Sequence, residues 1–378
     1  MVEAVHRAAT TLSDLEAAAA ALVADLGARD PALVLFFCAP RFAEPAFATP
    51  FAAAFPEACV IGCTSAGEIG PEGYADDSVT AVAFERHAFH CAADVLEHLD
   101  QLEMSRATHF AVDLADRLAA EGRNLGEDVF GFMLVDGLST REELVASCIG
   151  NALDGVPLFG GSAADRLAFE HTAVFAHGRF HQDAAVLVLI ETKHRFRVFR
   201  SQNFVAGDRK LVVTEADAPR RLVREFNAAP AVEEYARVNE LAVAELDPTA
   251  FATHPLVVKL GGAEYVRAVQ QAHPDGALSF YAKIDEGLVL TTADERDVLD
   301  NLKGLFDELR RQLGPPLVVL AFESILRRLH LAESGTLALA GQLMRDNAVV
   351  GFNTFGEQFA SMHVNQTFTG VAIGREIR

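Results

Sequence analysis

Three apolar runs of strand length recur along the chain, and the same succession of patterns follows each of them. The runs cover residues 33–38, 130–135 and 317–322. After each run comes a stretch with the apolar spacing of a helix, then a glycine-containing polar loop that ends a second short run. The pattern predicts a repeated unit of strand, helix, strand and polar loop.

The polar loops themselves are alike. Residues 60–68 read VIGCTSAGE, residues 349–357 read VVGFNTFGE, and a partial third copy lies at 158–165. The alignment pairs Gly62 with Gly351, Ser65 with Thr354, Gly67 with Gly356 and Glu68 with Glu357. Because strand–helix–strand crossovers usually join parallel strands, we expect the loops to gather at one edge, where α/β sheets bind ligands. The alternative is that the glycines only form turns.

Turn signals between other strand-like runs predict antiparallel hairpins. The strongest is Asp275-Gly276, between residues 265–270 and 278–284. We therefore expect a mixed α/β fold, with two tandem related domains whose mixed sheets are flanked by helices. Polar residues and a predicted turn at Gly207-Asp208 place the boundary there, which gives domains 1–207 and 208–378.

Composition narrows the class of protein. The 378 residues carry a formal net charge of −21, which argues against a nucleic-acid or anionic-membrane surface, since both need clustered Lys and Arg. No apolar run approaches the roughly 20 residues that span a bilayer. Residues 1–29 read as an Ala-rich amphipathic helix with acidic residues, not as a secretory leader. Five cysteines without a regular framework suit a reducing compartment, so we expect a cytoplasmic protein.

One basic stretch interrupts this acidic chain at residues 194–200. Its charged residues alternate with Phe and Val, which is typical of an edge strand with a solvated face. We therefore do not interpret it as a polyanion site.

Motifs for hydrolysis and nucleotide binding are absent from the sequence. Residues 62–67 do not form Gly-x-Ser-x-Gly, and neither a Walker A loop nor Gly-x-Gly-x-x-Gly occurs. Glu68 and Glu357 could form a carboxylate pair across a pseudo-symmetric cleft. The more frequent arrangement is that each accepts hydrogen bonds from its own turn, so we predict a protein that is not an enzyme.

Two of the thirteen histidines are candidate metal ligands. His363 lies among several phenylalanines in the sequence, and His254 precedes Pro255 and an apolar strand. A neutral imidazole with apolar neighbours can ligate haem iron. The alternative is a core histidine whose ring nitrogens are hydrogen-bonded.

Several ordered motifs resemble the FIST family, a two-part sensory module with FIST-N and FIST-C regions. The FIST-N-like motifs are residues 59–69 and 160–165, followed by Phe169 and 173–175. The FIST-C-like motifs are residues 254–256, 284–287, 321–328, 351–357 and 365–367. The resemblance covers nearly the whole chain, and it implies a ligand-binding input module that acts through a partner.

Within this family, residues 326–329 and 363–367 look most like the haem-binding, nitric-oxide-sensing members. That resemblance implies a haem b cofactor and a partner histidine kinase, and through the kinase an effect on cyclic-di-GMP output and biofilm behaviour; a homodimer also fits. It makes His363 the expected iron ligand, with His254 as the alternative, and Phe352, Phe355 and Arg327 the expected cofactor neighbours. One departure is residues 322–324, which read Phe-Glu-Ser where the family often has Cys, so no thiol role is implied there.

A second hypothesis concerns a different ligand. The broader family's suggested ligands include small polar metabolites such as amino acids, and we expect such a ligand to bind where the glycine loops converge, between the two halves. An enzyme that uses a Glu68/Glu357 cleft is a third, less favoured hypothesis. The expected contacts of the metabolite are Gly62, Thr64, Ser65, Glu68, Thr354, Glu357, Asn365 and Thr367.

Overall fold

The computed structural model describes residues 3–120 and 126–377. It confirms the mixed α/β fold, with mixed sheets flanked by helices. Three units of the chain share one order of elements. Each has an edge strand, a helix, an inner strand, further helix, a second inner strand parallel to the first inner strand, a hairpin, and a last antiparallel strand. A block of additional structure, which we call the insert (residues 204–295), interrupts the third unit.

The first unit contains a strand that the sequence did not predict. Residues 5–10 were expected to be helical, but they pair with residues 79–84 as an antiparallel edge strand. That pairing is a long-range contact, which the local helix preference of alanine does not reveal. The elements of this unit are β1 Val5–Thr10, α1 Leu15–Leu26, β2 Pro31–Cys38, α2 Pro45–Ala53, β3 Cys59–Thr64, β4 Glu68–Gly70, β5 Gly73–Ala75 and β6 Val79–Glu85.

The second unit repeats this order. Its first two inner strands are parallel because a helix connects them, and its last strand returns antiparallel. Its elements are β7 Phe89–Leu96, α3 Met104–Ala120, β8 Val129–Val135, α4 Glu142–Ala152, β9 Leu158–Ser162, β10 Val174–Ala176, β11 Arg179–His181 and β12 Ala185–Thr192.

The third unit opens with β13 (His194–Gln202), and the insert follows. The predicted domain boundary at residue 207/208 lies within the first strand of the insert, beside a bulge in its pairing. The insert consists of β14 Phe204–Asp217, β15 Leu222–Phe226, β16 Ala229–Pro230, α5 Ala231–Val238, α6 Pro248–Thr253, β17 Leu256–Leu260, β18 Ala263–Arg267, β19 Val269–Ala272, β20 Leu278–Phe280 and β21 Val289–Glu295.

The third unit resumes after the insert. Its helical segment between the parallel strands is broken at Gly335, whose φ of 69° ends one helix before the next begins. The remaining elements are α7 Val298–Leu313, β22 Pro316–Ser324, α8 Ile325–Glu333, α9 Leu337–Asp346, β23 Val349–Thr354, β24 Glu357–Phe359, β25 Met362–Val364 and β26 Thr367–Ile377.

The three units exchange their hairpins in a cycle. The β4–β5 hairpin of the first unit completes the sheet of the third, β10–β11 of the second completes that of the first, and β24–β25 of the third completes that of the second. The sheets therefore run β1-β6-β2-β3-β10-β11, β7-β12-β8-β9-β24-β25 and β13-β26-β22-β23-β4-β5. Because each sheet needs a neighbour's hairpin, the three units form one body with pseudo-three-fold symmetry.

The inner faces of these three sheets share one core. Phe37, Phe132 and Phe322, one from each unit, belong to the same buried apolar cluster and are fully buried. The helices cover the outer faces; α1 and α2, for example, bury Phe47 and Leu22 against the first sheet. This burial fixes the ends of β3, β9 and β23, from which the polar loops begin.

Candidate ligand-binding site

The loops after β3, β9 and β23 meet in a ring, as the sequence predicts. Each loop donates one backbone hydrogen bond to a residue at the end of a neighbouring unit's strand, either its last or its second-to-last residue, so that the three bonds close a cycle. The bonds run from Ala66 N to Asn353 O (2.9 Å), from Phe355 N to Ser162 O (3.4 Å) and from Ala164 N to Thr64 O (3.0 Å). We call these three loops the loop ring.

The two matching glutamates of the loop ring serve as acceptors within their own units. The Glu68 carboxylate accepts from the Ser65 hydroxyl and from the N–H (3.1 Å) and hydroxyl (2.5 Å) of Ser78. Glu357 accepts from the Thr354 hydroxyl and from the N–H (3.0 Å) and hydroxyl (2.7 Å) of Thr367. Burial raises the pKa of Glu68 to about 7 and that of Glu357 to about 8, although these donors act in the opposite direction.

The second unit departs from this pattern. The cycle of backbone bonds makes Ser162 equivalent to Thr64, so the exposed Arg166 stands where the other units have glutamate. The preceding Asp165 instead accepts hydrogen bonds from the backbone N–H groups of residues 169–171. This turn places Phe169 against Phe355, with their rings stacked 4.8 Å apart.

The insert covers the loop ring. The three equivalent ring residues, Ala66, Ala164 and Phe355, belong to one buried apolar cluster together with Val266 and Tyr281 of the insert. The edge at which a ligand was expected is therefore not open to solvent. A ligand at this edge has to bind between the loop ring and the insert.

Not all of the predicted site residues lie at this edge. Phe352 lies in the central core, with its ring centroid 4.7 Å from that of Phe37 and 4.8 Å from that of Phe322. Arg327 is fully buried in an ion pair with Glu323 (3.2 Å) and also donates to the Asn203 side chain (2.8 Å). These two side chains are structural in this arrangement.

Gly62 and Thr64 lie inside β3. A Cβ at Gly62 would be 2.6 Å from the Phe36 carbonyl oxygen of the neighbouring parallel strand. The Thr64 hydroxyl accepts from the Ala173 N–H at 3.1 Å. Gly62 therefore allows the two parallel strands to pack closely. The Thr64 hydroxyl is already used in a hydrogen bond to a neighbouring segment of the chain.

His363 is a predicted residue of the third unit that contacts the insert directly. Its Nε2 is 3.1 Å from the Tyr281 carbonyl oxygen, and its Nδ1 is 3.2 Å from Gln358 Nε2. Burial lowers the pKa of His363, which fits a neutral ring that donates from Nε2 and accepts at Nδ1. Asn365 lies alongside and accepts from the Ala268 N–H of the insert at 3.4 Å.

The residues present do not fit a haem group in this arrangement. Both ring nitrogens of His363 are hydrogen-bonded, and Phe352 and Arg327 are held in separate contacts. His254 ends α6, where its Nδ1 is 2.9 Å from the Thr253 hydroxyl. Within residues 3–120 and 126–377, no group of three or more His, Cys, Asp and Glu side chains is arranged to hold a metal ion.

A buried charged cluster beside His363 was missed by the sequence analysis. Arg221 of the insert pairs with Glu142 (2.5 Å) and Glu143 (2.6 Å) of α4, and it donates to the Tyr281 carbonyl at 2.9 Å. The same carbonyl is the partner of His363. We call this meeting point of α4, β24–β25 and the insert the junction.

Arg267 is the unusual member of the junction. It lies next to Ala268 in sequence, and its Nε is buried without a hydrogen-bond partner. Among the residues that the structure describes, no carboxylate lies within 4 Å of its guanidinium, and burial lowers its pKa, with Glu143 acting in the opposite direction. The sequence offered no signal for this residue, since Arg267 ends a strand, AEYVR, that also carries the charged Glu264.

Two buried acceptors of the third unit are also unpaired. Gln358 Oε1 and Gln366 Oε1 have no hydrogen-bond partner, although the amide nitrogen of each donates, to Ser162 and to the Phe251 carbonyl respectively. Buried polar atoms are seldom left unpaired, so each calls for an explanation. With Arg267 Nε, the insert and the third unit thus carry one unmatched donor and two unmatched acceptors.

No helix in the described part of the chain is long and apolar enough to cross a membrane. Comparison with known proteins finds a relative in the uncharacterized protein MJ1623 of Methanocaldococcus jannaschii. The two are 22% identical over 355 residues, which cover 82% of this chain and 67% of the relative.

Two family models match consecutive parts of the chain. The FIST N domain matches residues 32–229 and the FIST C domain matches residues 231–360, so the tandem organisation is confirmed. Domains of this family are sensory domains of signalling proteins. On these matches, and with the order of motifs described above, the chain belongs to the FIST family.

Proposed function

We propose that this protein is a sensor of a small carboxylate-bearing metabolite of the amino-acid type, which binds at the junction. The observation that carries the proposal is Arg267, a half-buried arginine whose Nε is buried without a hydrogen-bond partner and which forms no ion pair among the described residues. Burying an unpaired charge is costly, so such a residue is normally kept for a role other than stability. A guanidinium also matches the two oxygens of a carboxylate.

The other unmatched atoms suit the second charged group of an amino acid. Gln358 Oε1 and Gln366 Oε1 are acceptors, as an ammonium group requires. Asn365 connects the surroundings of the two glutamines. It precedes Gln366 in the chain, and it contacts both the insert and His363, which in turn contacts Gln358. One cationic donor with two neutral acceptors is complementary to a zwitterion.

Binding at the junction would connect the ligand to the position of the insert. Arg267 belongs to the insert, whereas Gln358 and Gln366 belong to the third unit. A ligand that contacts both would favour the closed arrangement of the two, and a partner can respond to that shift. We propose a cytoplasmic protein that binds rather than catalyses, with a sensor histidine kinase as its partner class and a homodimer as its assembly.

Calorimetric titration with a panel of amino acids and dicarboxylates tests this proposal. We expect at least one of them to bind the wild-type protein, and Arg267→Gln to lose roughly 10-fold to 100-fold in affinity, since a charged hydrogen bond contributes about 1.5–3 kcal/mol. The matched control is Arg224→Gln, at a half-exposed arginine of the insert, and it should bind as wild type. Binding that is unchanged in Arg267→Gln would contradict the proposed site.

Haem-based nitric oxide sensing is the second candidate. It is supported by the resemblance to the nitric-oxide-sensing members and by the burial that lowers the pKa of His363, because an iron ligand has to be unprotonated. It requires His363 to leave Gln358 and Tyr281, or else His254 to act in its place. A sharp Soret band after haem loading, lost in His363→Ala or in His254→Ala, would support it; a broad band that neither substitution changes would reject it.

A further inference from the structure

A cavity lies at the end of the molecule opposite the loop ring. It is lined in part by Leu317 and Ala348, which lie at the start of β22 and just before β23, whereas the ring loops follow the ends of these parallel strands. Its volume is about 540 Å³. This is within the range of roughly 300–1,000 Å³ that is typical of small-molecule sites. Neither the family match nor the junction assigns it a role.

The polar lining of this cavity is mostly cationic. Arg7 of β1 and Arg375 of β26 both line it, with His194 of β13 and the carboxylate of Glu3. The two guanidiniums are close enough to interact: burial lowers the pKa of Arg7 first, and the positive charge of Arg375 lowers it further. Like charges repel, so this pairing is unfavourable unless something of opposite charge lies between them.

Arg7 also has an unsatisfied donor. Its Nη1 is buried and has no hydrogen-bond partner. The pKa of Arg7 is raised by Glu3, but the Glu3 side chain is 72% exposed and forms no ion pair with Arg7 among the described contacts. A buried guanidinium nitrogen without an acceptor, facing a second guanidinium, is the arrangement expected of an empty anion site.

Two neighbouring arginines are unexpected on a protein with this overall charge. The chain carries a net charge of −21, so clustered cations are not a general property of its surface. A neighbouring cavity of about 490 Å³ is also lined by arginines, Arg195, Arg197 and Arg311. There, however, Arg195 pairs with Glu376 and Arg311 with Glu308, so the charges of these two are already compensated.

We propose that the cavity between Arg7 and Arg375 is a second ligand site, which binds a small anion with several negative oxygens. The planar guanidinium of Arg7 would donate its free N–H to one oxygen, and Arg375 would contact another from the exposed side. Phosphate and carboxylate groups share this chemistry. A phosphate compound and a carboxylate compound are therefore both used as probes. The one that binds more tightly identifies the chemical class of the anion.

The test uses the full-length protein with pyrophosphate and, separately, citrate, titrated by calorimetry at low ionic strength. We expect wild type to bind at least one of them and Arg7→Gln to bind it roughly 10-fold to 100-fold more weakly. Arg375→Gln is the companion variant: this residue is exposed, so its loss of binding cannot be ascribed to misfolding. Glu3→Gln should bind a few-fold more tightly, because it removes the only carboxylate among the described residues of the lining.

The control is Arg311→Gln in the neighbouring cavity, which should bind as wild type. If wild type binds neither probe, the inference is overturned. It is overturned equally if Arg311→Gln loses binding while Arg375→Gln keeps it, because the anion then occupies the other cavity. Arg267→Gln should leave pyrophosphate and citrate binding unchanged, so that this result is independent of the site at the junction.

Discussion

Glu68 and Glu357 occupy equivalent positions in the first and third units and are held by equivalent donors. Each accepts from a hydroxyl three residues earlier and from the N–H and hydroxyl of a residue ten positions later. In both units the later residue begins or just precedes the last strand, so each carboxylate connects the loop ring to the strand that closes its unit. These glutamates stabilise the loops at which the units meet.

Removal of either carboxylate should destabilise the fold. Glu357→Ala leaves one N–H and two hydroxyls without their acceptor in a buried site, and we expect a loss of about 2–5 kcal/mol in the free energy of unfolding. Glu68→Ala should behave alike. Urea denaturation measures the loss, and the exposed Glu72→Ala, expected within about 0.5 kcal/mol of wild type, is the control. Equal stability of Glu357→Ala and wild type would show that the carboxylate does not hold the loop.

The raised pKa values of the two glutamates predict how stability depends on pH. Both values, about 7 for Glu68 and about 8 for Glu357, lie above the roughly 4.3 of an unfolded glutamate. Between the unfolded and the folded pKa the folded state binds more protons than the unfolded state, so the free energy of unfolding decreases as the pH rises. The stabilising contribution of the two raised pKa values is fully present below about pH 4 and is lost as the pH rises through 7 and 8. Urea midpoints from pH 5 to 9 should therefore fall, and Glu357→Gln, which cannot titrate, should show a smaller fall. Parallel curves for the two proteins would argue against a raised pKa.

Gly351 should not tolerate even alanine. An added Cβ would lie 1.6 Å from the Ala321 carbonyl oxygen of the parallel strand, and backbone cannot move away without breaking the ladder. We expect Gly351→Ala to lose more than about 3 kcal/mol or to fail to fold. Gly304→Ala is the matched control, since nothing lies within 4 Å of its Cβ and it is exposed within α7. It should gain about 0.5–1 kcal/mol, and thermal unfolding distinguishes the two.

Substitution by Met should destabilise the fold at Arg221 but not at Arg267. Arg221→Met leaves the buried Glu142 without its partner, so we expect a loss of about 3–5 kcal/mol. Arg267 has no such partner among the described residues, and Arg267→Met removes a half-buried charge whose Nε is unpaired, so the stability of this variant should equal or exceed that of wild type. Denaturant unfolding of both variants checks this. A strong destabilisation by Arg267→Met would mean that Arg267 is a structural residue and would weaken the proposed ligand site.

Much of the local structure could be predicted from the sequence. The three apolar runs are strands, parallel strands follow them, and the loops after the strands that contain Gly62 and Gly351 converge, because the pattern behind each of these features lies in residues close together in the chain. The equivalence of Glu68 and Glu357 was also visible, and so was the idea that each accepts hydrogen bonds from its own turn. The roles of Phe352 and Arg327 were not visible, since both are set by partners on other strands and helices.

The repeated unit, the strands and the glycine loops follow from local sequence, because hydrophobic period and turn chemistry act over a few residues. Long-range packing sets which sheet each hairpin joins and what covers the loop ring. The hairpins are short and leave their own unit, so pairing across units determines their place. The same holds at the junction, where His363 meets the Tyr281 carbonyl 82 positions away and Arg267 is left unpaired by the packing of the insert. Contacts of that kind depend on how the whole chain packs, which no local pattern encodes.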